Sequence, residues 1–291
     1  MLKELGLFNF FGNGDIVESR EFVRATMKLF PAERYVYYTN KSTKLLSDIE
    51  GLESSPDFLA VMDHTTEFIK TEDSLYINTW IGRNPKYVLG GYACTLEKLY
   101  EMYNDILGKI NDSKLPGTPV DYLTSFNYLK YDIENINSFM STIQDKKKVF
   151  IANGPVHSNQ AENFDMTPMI LELADRFPKT IFFVTEGMSD GRLNTLNANS
   201  LVGEKENLVE LSYLSTFCDA IIGRNSGPQV LAWTKENCFS NKVNITFSKH
   251  KDCQHFVYDS PITMEKNWCN ASDTFTTKAF VESVLFEKGF I

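Results

Sequence analysis

Apolar residues along this chain fall into short runs closed by polar, glycine- or proline-bearing corners, with one-sided apolar stretches between them. Leu5 to Phe11 is the first run, closed by Gly12-Asn13-Gly14. Asp15 then suits a helix N-cap, and Val17, Phe22, Val23, Met27 and Leu29 supply a helical stripe up to Pro31. Arg34 to Thr39 predicts a second strand, Leu45 to Ile49 a short helical segment, and Phe58 to Met62 a third strand. Strand-like runs fill Phe68 to Trp80, up to the turn Gly82-Arg83-Asn84-Pro85. Helices are predicted over Leu96 to Ile110 and Asp121 to Ile143, with a Pro/Gly-bearing loop between them.

After the charged run Gln144-Asp145-Lys146-Lys147-Lys148 the rhythm starts again. Strands are predicted at Val149 to Ala152, Ile181 to Val184, Ala220 to Ile222 and Lys242 to Phe247. Helices are predicted at Met169 to Phe177, Gln229 to Glu236 and Thr277 to Phe286, and Leu208 to Leu214 reads as a strand or turn with a short helix. Strands alternating with helices in both halves imply two α/β domains with mostly parallel sheets, 1–144 and 145–291. The last helix is free to pack back on the first domain. Ligands in such folds sit at the carboxyl ends of strands, so a cleft between the domains is expected to hold the site.

The 291 residues suffice for a sizeable core, and the hydrophobic and charged fractions, 43% and 23%, are those of an ordinary globular protein. A net charge of -9 argues against a nucleic-acid binder or a non-specific binder of anionic membranes. Cys94, Cys218, Cys238, Cys253 and Cys269 have no zinc-site spacing, and their odd count suits a reducing, cytoplasmic setting. The N-terminus lacks the pattern of a signal peptide, and no run is long and apolar enough for an integral membrane segment, which leaves peripheral membrane contact open.

Candidate chemistry gathers at the corners. Asn13-Gly14-Asp15 follows a strand, and Asp15 is either a plain N-cap or a general base at the helix mouth. Arg20 and Arg24 share one helix face and either meet a diphosphate or are solvated. Trp80 and Arg83 suit sugar or phosphate contact, or a packed ring beside an exposed cation. The loop Asn153-Gly154-Pro155-Val156-His157-Ser158 follows the first strand of the second half and is placed for ligand contact. Arg224-Asn225-Ser226-Gly227-Pro228 forms a tight strand-to-helix corner whose backbone N–H groups suit a phosphate. No Asp-x-Asp pair, phosphate-binding Gly-x-x-x-x-Gly-Lys loop or Gly-x-Ser-x-Gly elbow occurs, which weakens metal-bound nucleotide-sugar, ATPase and serine-hydrolase readings.

Taken together, Gly14-Asp15 through Pro31 and Cys218-Asp219-Ala220-Ile221-Ile222-Gly223-Arg224-Asn225-Ser226-Gly227-Pro228 through Ala232 resemble the ADP-heptose lipopolysaccharide heptosyltransferases, a GT-B family. Asn225 and Val230 depart from that family's aspartate and histidine, and its lysine-bearing middle loop is replaced by Asn153 to Gln160. The resemblance implies two Rossmann-like domains with parallel sheets facing across a cleft, acceptor side first and nucleotide-sugar side second. It implies metal-independent, inverting transfer from a nucleotide-diphosphate sugar, without a cofactor, to a glycan acceptor in polysaccharide biosynthesis. Asp15 then takes the role of base; Asn13, Gly14, Asn153, Gly154, His157, Ser158, Arg224, Asn225, Ser226, Gly227 and Pro228 bind the donor diphosphate; and Arg20, Trp80 and Arg83 contact acceptor or phosphate. A nucleotide-sugar epimerase or hydrolase, and a non-catalytic nucleotide- or glycan-binding protein, are the competing readings.

Overall fold

In the first sheet, strand alternation sorts side chains onto two faces. β1 (Leu2–Phe8) runs parallel to β2 (Ala32–Tyr38), which pairs in parallel with β3 (Leu52–Ser55). The hairpin of β4 (Phe68–Lys70) and β5 (Ser74–Asn78) completes the order β3-β2-β1-β5-β4, with only β4 antiparallel. Leu7, Tyr37 and Ile77 share one register and one buried face, and Leu5 and Leu75 lie beside them. Phe8, Val36, Tyr38 and Met62 form the core of the other face, with Phe10, Phe58, Ile69 and Tyr76 packed against it. Gly6 is required here because any Cβ would run into the Tyr76 ring.

This computed structural model describes every residue except 61, 64, 81–94, 158–159, 189–191, 204–206, 226, 250–262 and 291, together with the side chains at 227 and 228. Arg83, Ser158 and Ser226 therefore lie outside the described residues. Helix α1 (Asn13–Leu29) buries Ile16, Val17, Phe22 and Val23, and α2 (Leu96–Asn111) is capped by the Thr95 hydroxyl, which accepts the Lys98 N–H at 3.2 Å. Phe22 stacks between Tyr103 of α2 and Tyr122, with ring centroids 4.5 and 4.6 Å apart. Such aromatic contacts bury much apolar area for few ordered residues.

In the second sheet every pairing is parallel, and the order is β11-β10-β9-β6-β7-β8. The strands are β6 (Lys147–Ala152), β7 (Thr180–Val184), β8 (Thr195–Asn197), β9 (Ala220–Arg224), β10 (Val243–Phe247) and β11 (Glu265–Cys269). The helices are α3 (Glu134–Thr142), α4 (Thr167–Arg176), α5 (Leu208–Thr216), α6 (Gly227–Leu231), α7 (Lys235–Cys238) and α8 (Thr274–Glu287). Counted from β6, the order is that of dinucleotide-binding folds: the chain winds outward in one direction, returns to the middle and winds out the other way. The reversal lies between β6 and β9. Among the described residues no helix is long and apolar enough to cross a membrane.

Several sequence expectations are corrected. The helix expected over Asp121 to Ile143 is interrupted. Thr124 donates its hydroxyl proton to the Val17 carbonyl at 2.8 Å, and Glu21 Oε1 accepts both the N–H and the hydroxyl of Ser125, at 3.2 and 2.7 Å. These polar groups bind the backbone and side chains of α1 and displace helix formation. Phe58 and Met62 are core residues outside any strand, Phe58 stacking on Phe10 at 4.3 Å. Leu208 to Leu214 is helical, and the expected helix Gln229 to Glu236 is split into α6 and α7 at Trp233-Thr234, where Thr234 caps α7.

The two compact units divide between Phe126 and Asn127, ahead of the charged run. The reason is local packing. The Tyr128 hydroxyl lies 3.0 Å from Ser212 Oγ, Tyr213 donates to Asn137 Oδ1 at 2.7 Å, and Phe139 meets Phe183 edge-on, so α3 belongs to the second unit. The final helix α8 is held there too, since Val281, Val284 and Leu285 share a core with Ile170, Leu173 and Ala174 of α4.

Candidate functional site

At the carboxyl edge of the first sheet, β1 ends at Phe8 and the chain turns through Asn9 to Gly12 into α1. Gly12, not Asp15, is the N-cap residue. Asp15 stands in the first turn, and its Oδ2 accepts the Gly12 N–H at 2.6 Å, holding the carboxylate at the mouth of the helix. Asn13 opens the same turn, and its Oδ1 is buried without a hydrogen-bond partner among the described residues. Such an atom in a native fold calls for a ligand or ordered water. Trp80, just past β5, is buried, and its backbone N–H donates to Asn78 Oδ1 at 3.0 Å.

Arg20 does not join this group. It is fully buried, pairs with both oxygens of Asp48 at 2.6 and 2.7 Å, donates to the Leu45 and Ser125 carbonyls, and lies 4.1 Å over the Phe126 ring. Its charge is consumed inside the unit, so the expected contact with acceptor or phosphate is corrected to a structural strut. Arg24 supports the same carboxylate from 2.9 Å.

In the second unit the two sequence corners meet. Ala152 of β6 is in register with Gly223 of β9, so Asn153-Gly154 and Asn225 leave adjacent strand ends at the point where the winding reverses. Gly223 permits this closeness: a Cβ there would stand 2.8 Å from the Ala152 Cβ and 3.1 Å from its carbonyl oxygen.

Arg224 is again a clamp. Its guanidinium donates to the carbonyls of Asn153 at 2.6 Å, Gly154 at 2.9 Å, Glu162 at 3.0 Å and Phe164, and it stacks 4.9 Å from the Phe164 ring. Burial pushes its pKa down, with Asp165 opposing. An arginine spent on four carbonyls is a poor phosphate ligand, so the sequence assignment of Arg224 to the diphosphate is corrected to holding the loop that begins at Asn153. Asn163 closes the same loop by exchanging two hydrogen bonds with the Val156 backbone, at 2.7 and 2.8 Å. His157 is exposed on it.

Asn225 is fully buried. Its N–H pairs with the Phe247 carbonyl at 2.8 Å, its Nδ2 donates to Ser248 Oγ at 3.2 Å, and its Oδ1 has no partner among the described residues. The helix that follows, α6, spans five residues, so it offers little dipole to the anion site that the sequence leads one to expect at 226–228.

One residue at this edge carried no sequence motif. Glu186 follows β7, and Asn153 pins its backbone: Asn153 Oδ1 accepts the Glu186 N–H at 2.8 Å and Asn153 Nδ2 donates to its carbonyl at 3.1 Å. The exposed carboxylate has no partner among the described residues, and a Cβ on Gly154 would lie 3.2 Å from its Oε1. A cavity of about 320 Å³ opens between the Asn153–Pro155 loop, the Asn163–Thr167 segment and Glu186–Met188, with Arg224 in its wall. The signal for Glu186 is positional: an acid after the second strand of this winding is where such folds hold a ribose.

No known protein family matches the sequence, and no curated protein does either. Solved structures are similar over nearly the whole chain. A family 9 glycosyl transferase from Veillonella parvula superposes with TM-score 0.54 at 12% identity, covering 99% of this chain and 92% of that one. Escherichia coli heptosyltransferase WaaC, solved with ADP-2-deoxy-2-fluoro heptose, gives TM-score 0.59 at 10% identity, covering 98% and 100%. The heptosyltransferase TibC in complex with ADP-D-beta-D-heptose gives 0.52 at 12%, covering 100% and 77%. The fold is that of the GT-B glycosyltransferases.

Proposed function

We propose that the protein is a glycosyltransferase that moves a sugar from a nucleotide-diphosphate sugar to a glycan or lipopolysaccharide-type acceptor. The observation that carries this reading is the meeting of Asn153-Gly154 and the Asn225 corner on adjacent strand ends of a sheet wound in the dinucleotide-binding order. Nucleotides bind at such reversals because the loops diverge there and leave a crevice. The same fold in WaaC and TibC, each solved with an ADP-linked heptose, is consistent with it.

In this reading the 225–228 corner and the Asn153–His157 loop receive the diphosphate, and Glu186 accepts hydroxyl protons of the ribose. Asp15 accepts the proton of the acceptor hydroxyl. The hydroxyl oxygen forms the new bond to the anomeric carbon while the bond to the diphosphate oxygen breaks on the opposite face, which inverts the sugar. The electron pair leaves on the nucleotide diphosphate, where backbone N–H donors stabilise it without a metal or cofactor. Asn13 opens the same helical turn as the base.

A thermal-shift series with ADP, GDP, UDP and CMP and their sugar conjugates tests the binding half. Bound ligand raises the melting temperature by mass action, and Glu186→Gln is expected to weaken that rise for nucleotides but not for inorganic pyrophosphate. No shift with any member of the series would overturn the reading.

A further inference from the structure

Beneath the Asp15 corner runs a chain of hydroxyl and amide groups that the transfer chemistry does not itself touch. Tyr37 in β2, Thr79 just past β5 and Asn9 just past β1 are all fully buried. The Tyr37 hydroxyl lies 2.8 Å from Thr79 Oγ1 and 3.4 Å from Ser19 Oγ of α1. Asn9 Nδ2 donates to Thr79 Oγ1 at 3.4 Å, and Asn9 Oδ1 accepts the Phe11 N–H at 2.7 Å. Tyr103 of α2 donates to the Thr79 carbonyl at 3.3 Å.

Counting protons fixes the direction of this chain. Ser19 gives its hydroxyl proton to the Ile16 carbonyl at 2.9 Å, and Thr79 gives its own to the Phe8 carbonyl at 3.3 Å, so Tyr37 donates to Thr79. Burial raises the Tyr37 hydroxyl to about 12, which keeps that proton in place. The residues between Phe8 and Asn13 belong to neither strand nor helix. Their backbone is held where Asn9 N–H meets the Tyr38 carbonyl at 3.2 Å, Phe11 N–H meets the Asn9 side chain, and Gly12 N–H meets Asp15. The hold on Phe11 passes through the Asn9 side chain, whose amide donates to Thr79.

We propose that Tyr37, Thr79 and Asn9 are positioning residues that fix the Asn9–Gly12 corner and, through it, the carboxylate of Asp15. This rests on the reading of Asp15 as the base for the acceptor hydroxyl. A displacement of a reacting group by about 1 Å can cost on the order of a hundredfold in rate, so a corner fixed at a distance matters to turnover.

The test uses the full chain with Thr79→Val, Tyr37→Phe and, as the conservative control, Thr79→Ser. In hydrogen exchange without substrate, the Phe11 amide is expected to exchange about tenfold faster in the Val and Phe variants, with β2 and α2 amides unchanged and Thr79→Ser near wild type. With ADP-, GDP- and UDP-hexoses as donors and lipopolysaccharide core oligosaccharide as acceptor, kcat is expected to fall about tenfold in the same two variants. Donor KM stays within about twofold, and Thr79→Ser restores kcat. Unchanged Phe11 exchange overturns the proposal, as does exchange that rises equally across the whole unit. Loosened exchange with unaltered kcat also overturns it. A wild-type protein that turns over none of these donors removes the base reading instead, and the exchange result still decides whether this chain holds the corner.

Discussion

Asp15 and the two buried arginines show how one side chain's neighbours decide its role. Because Asp15 caps Gly12, an alanine there would remove a helix-end hydrogen bond as well as a base. Asp15→Asn separates the two: the amide oxygen still accepts the Gly12 N–H but has no basicity. We expect kcat to fall by about 10²- to 10⁴-fold with the melting temperature nearly unchanged, measured by nucleoside diphosphate release beside a thermal melt. Arg20 is the opposite case. With the side chains of both Arg20 and Asp48 fully buried, Arg20→Met takes from the Asp48 carboxylate the guanidinium that meets both its oxygens and leaves Arg24 on one of them, and urea unfolding should show a loss of about 3 kcal/mol. Sequence could not separate these arginines from phosphate ligands. Four-residue spacing on a helix is visible, whereas a carboxylate 28 positions away is not.

Elements were legible where periodicity ran long enough to register. The alternation of β1 and β2 and the apolar stripes of α1 and α2 were readable to within a few residues. The short edge strands β3, β8 and β11 were not, because three to five residues of mixed polarity carry no period. The break of the 121–143 segment depended on Thr124 and Ser125 finding α1, a tertiary preference that local propensity cannot report. Gly223 gives a direct test of the β6–β9 junction. Gly223→Ala should push these strand ends apart and cost about 1–3 kcal/mol in unfolding, without altering the first unit.

A second test at this scale comes from Lys242, whose ammonium closes the end of α5 by donating to the Ser215 and Thr216 carbonyls at 3.2 and 2.6 Å and to Asn237 Oδ1 at 2.7 Å. Burial pushes its pKa down from 10.5 to about 8, with the nearby Cys218 and Asp219 opposing. A folded value below the unfolded one means the contribution to stability is full above pH 10.5 and is lost as pH falls through about 8. Wild type should therefore gain stability between those limits relative to Lys242→Met, in urea titrations at the two pH values. A difference that stays flat across the window would contradict this.

On the scale of the whole molecule, two sheets built on the same principle each bring polar loops to the strand ends beside their innermost strand. The corners at Asp15 and at Asn225 were visible in the sequence as strand ends; the strand order that gives each corner its neighbours was not. That order also placed Glu186, which no motif marks. The central claim is that this fold transfers a sugar from a nucleotide diphosphate with Asp15 as base. Its most direct measurement is nucleoside diphosphate release from a panel of nucleotide sugars, with and without glycan acceptor, for wild type and Asp15→Asn. The account predicts acceptor-dependent release by wild type from at least one donor, and a variant that still binds that donor but has lost release. Release that needs no acceptor, or that proceeds equally in the variant, would contradict it.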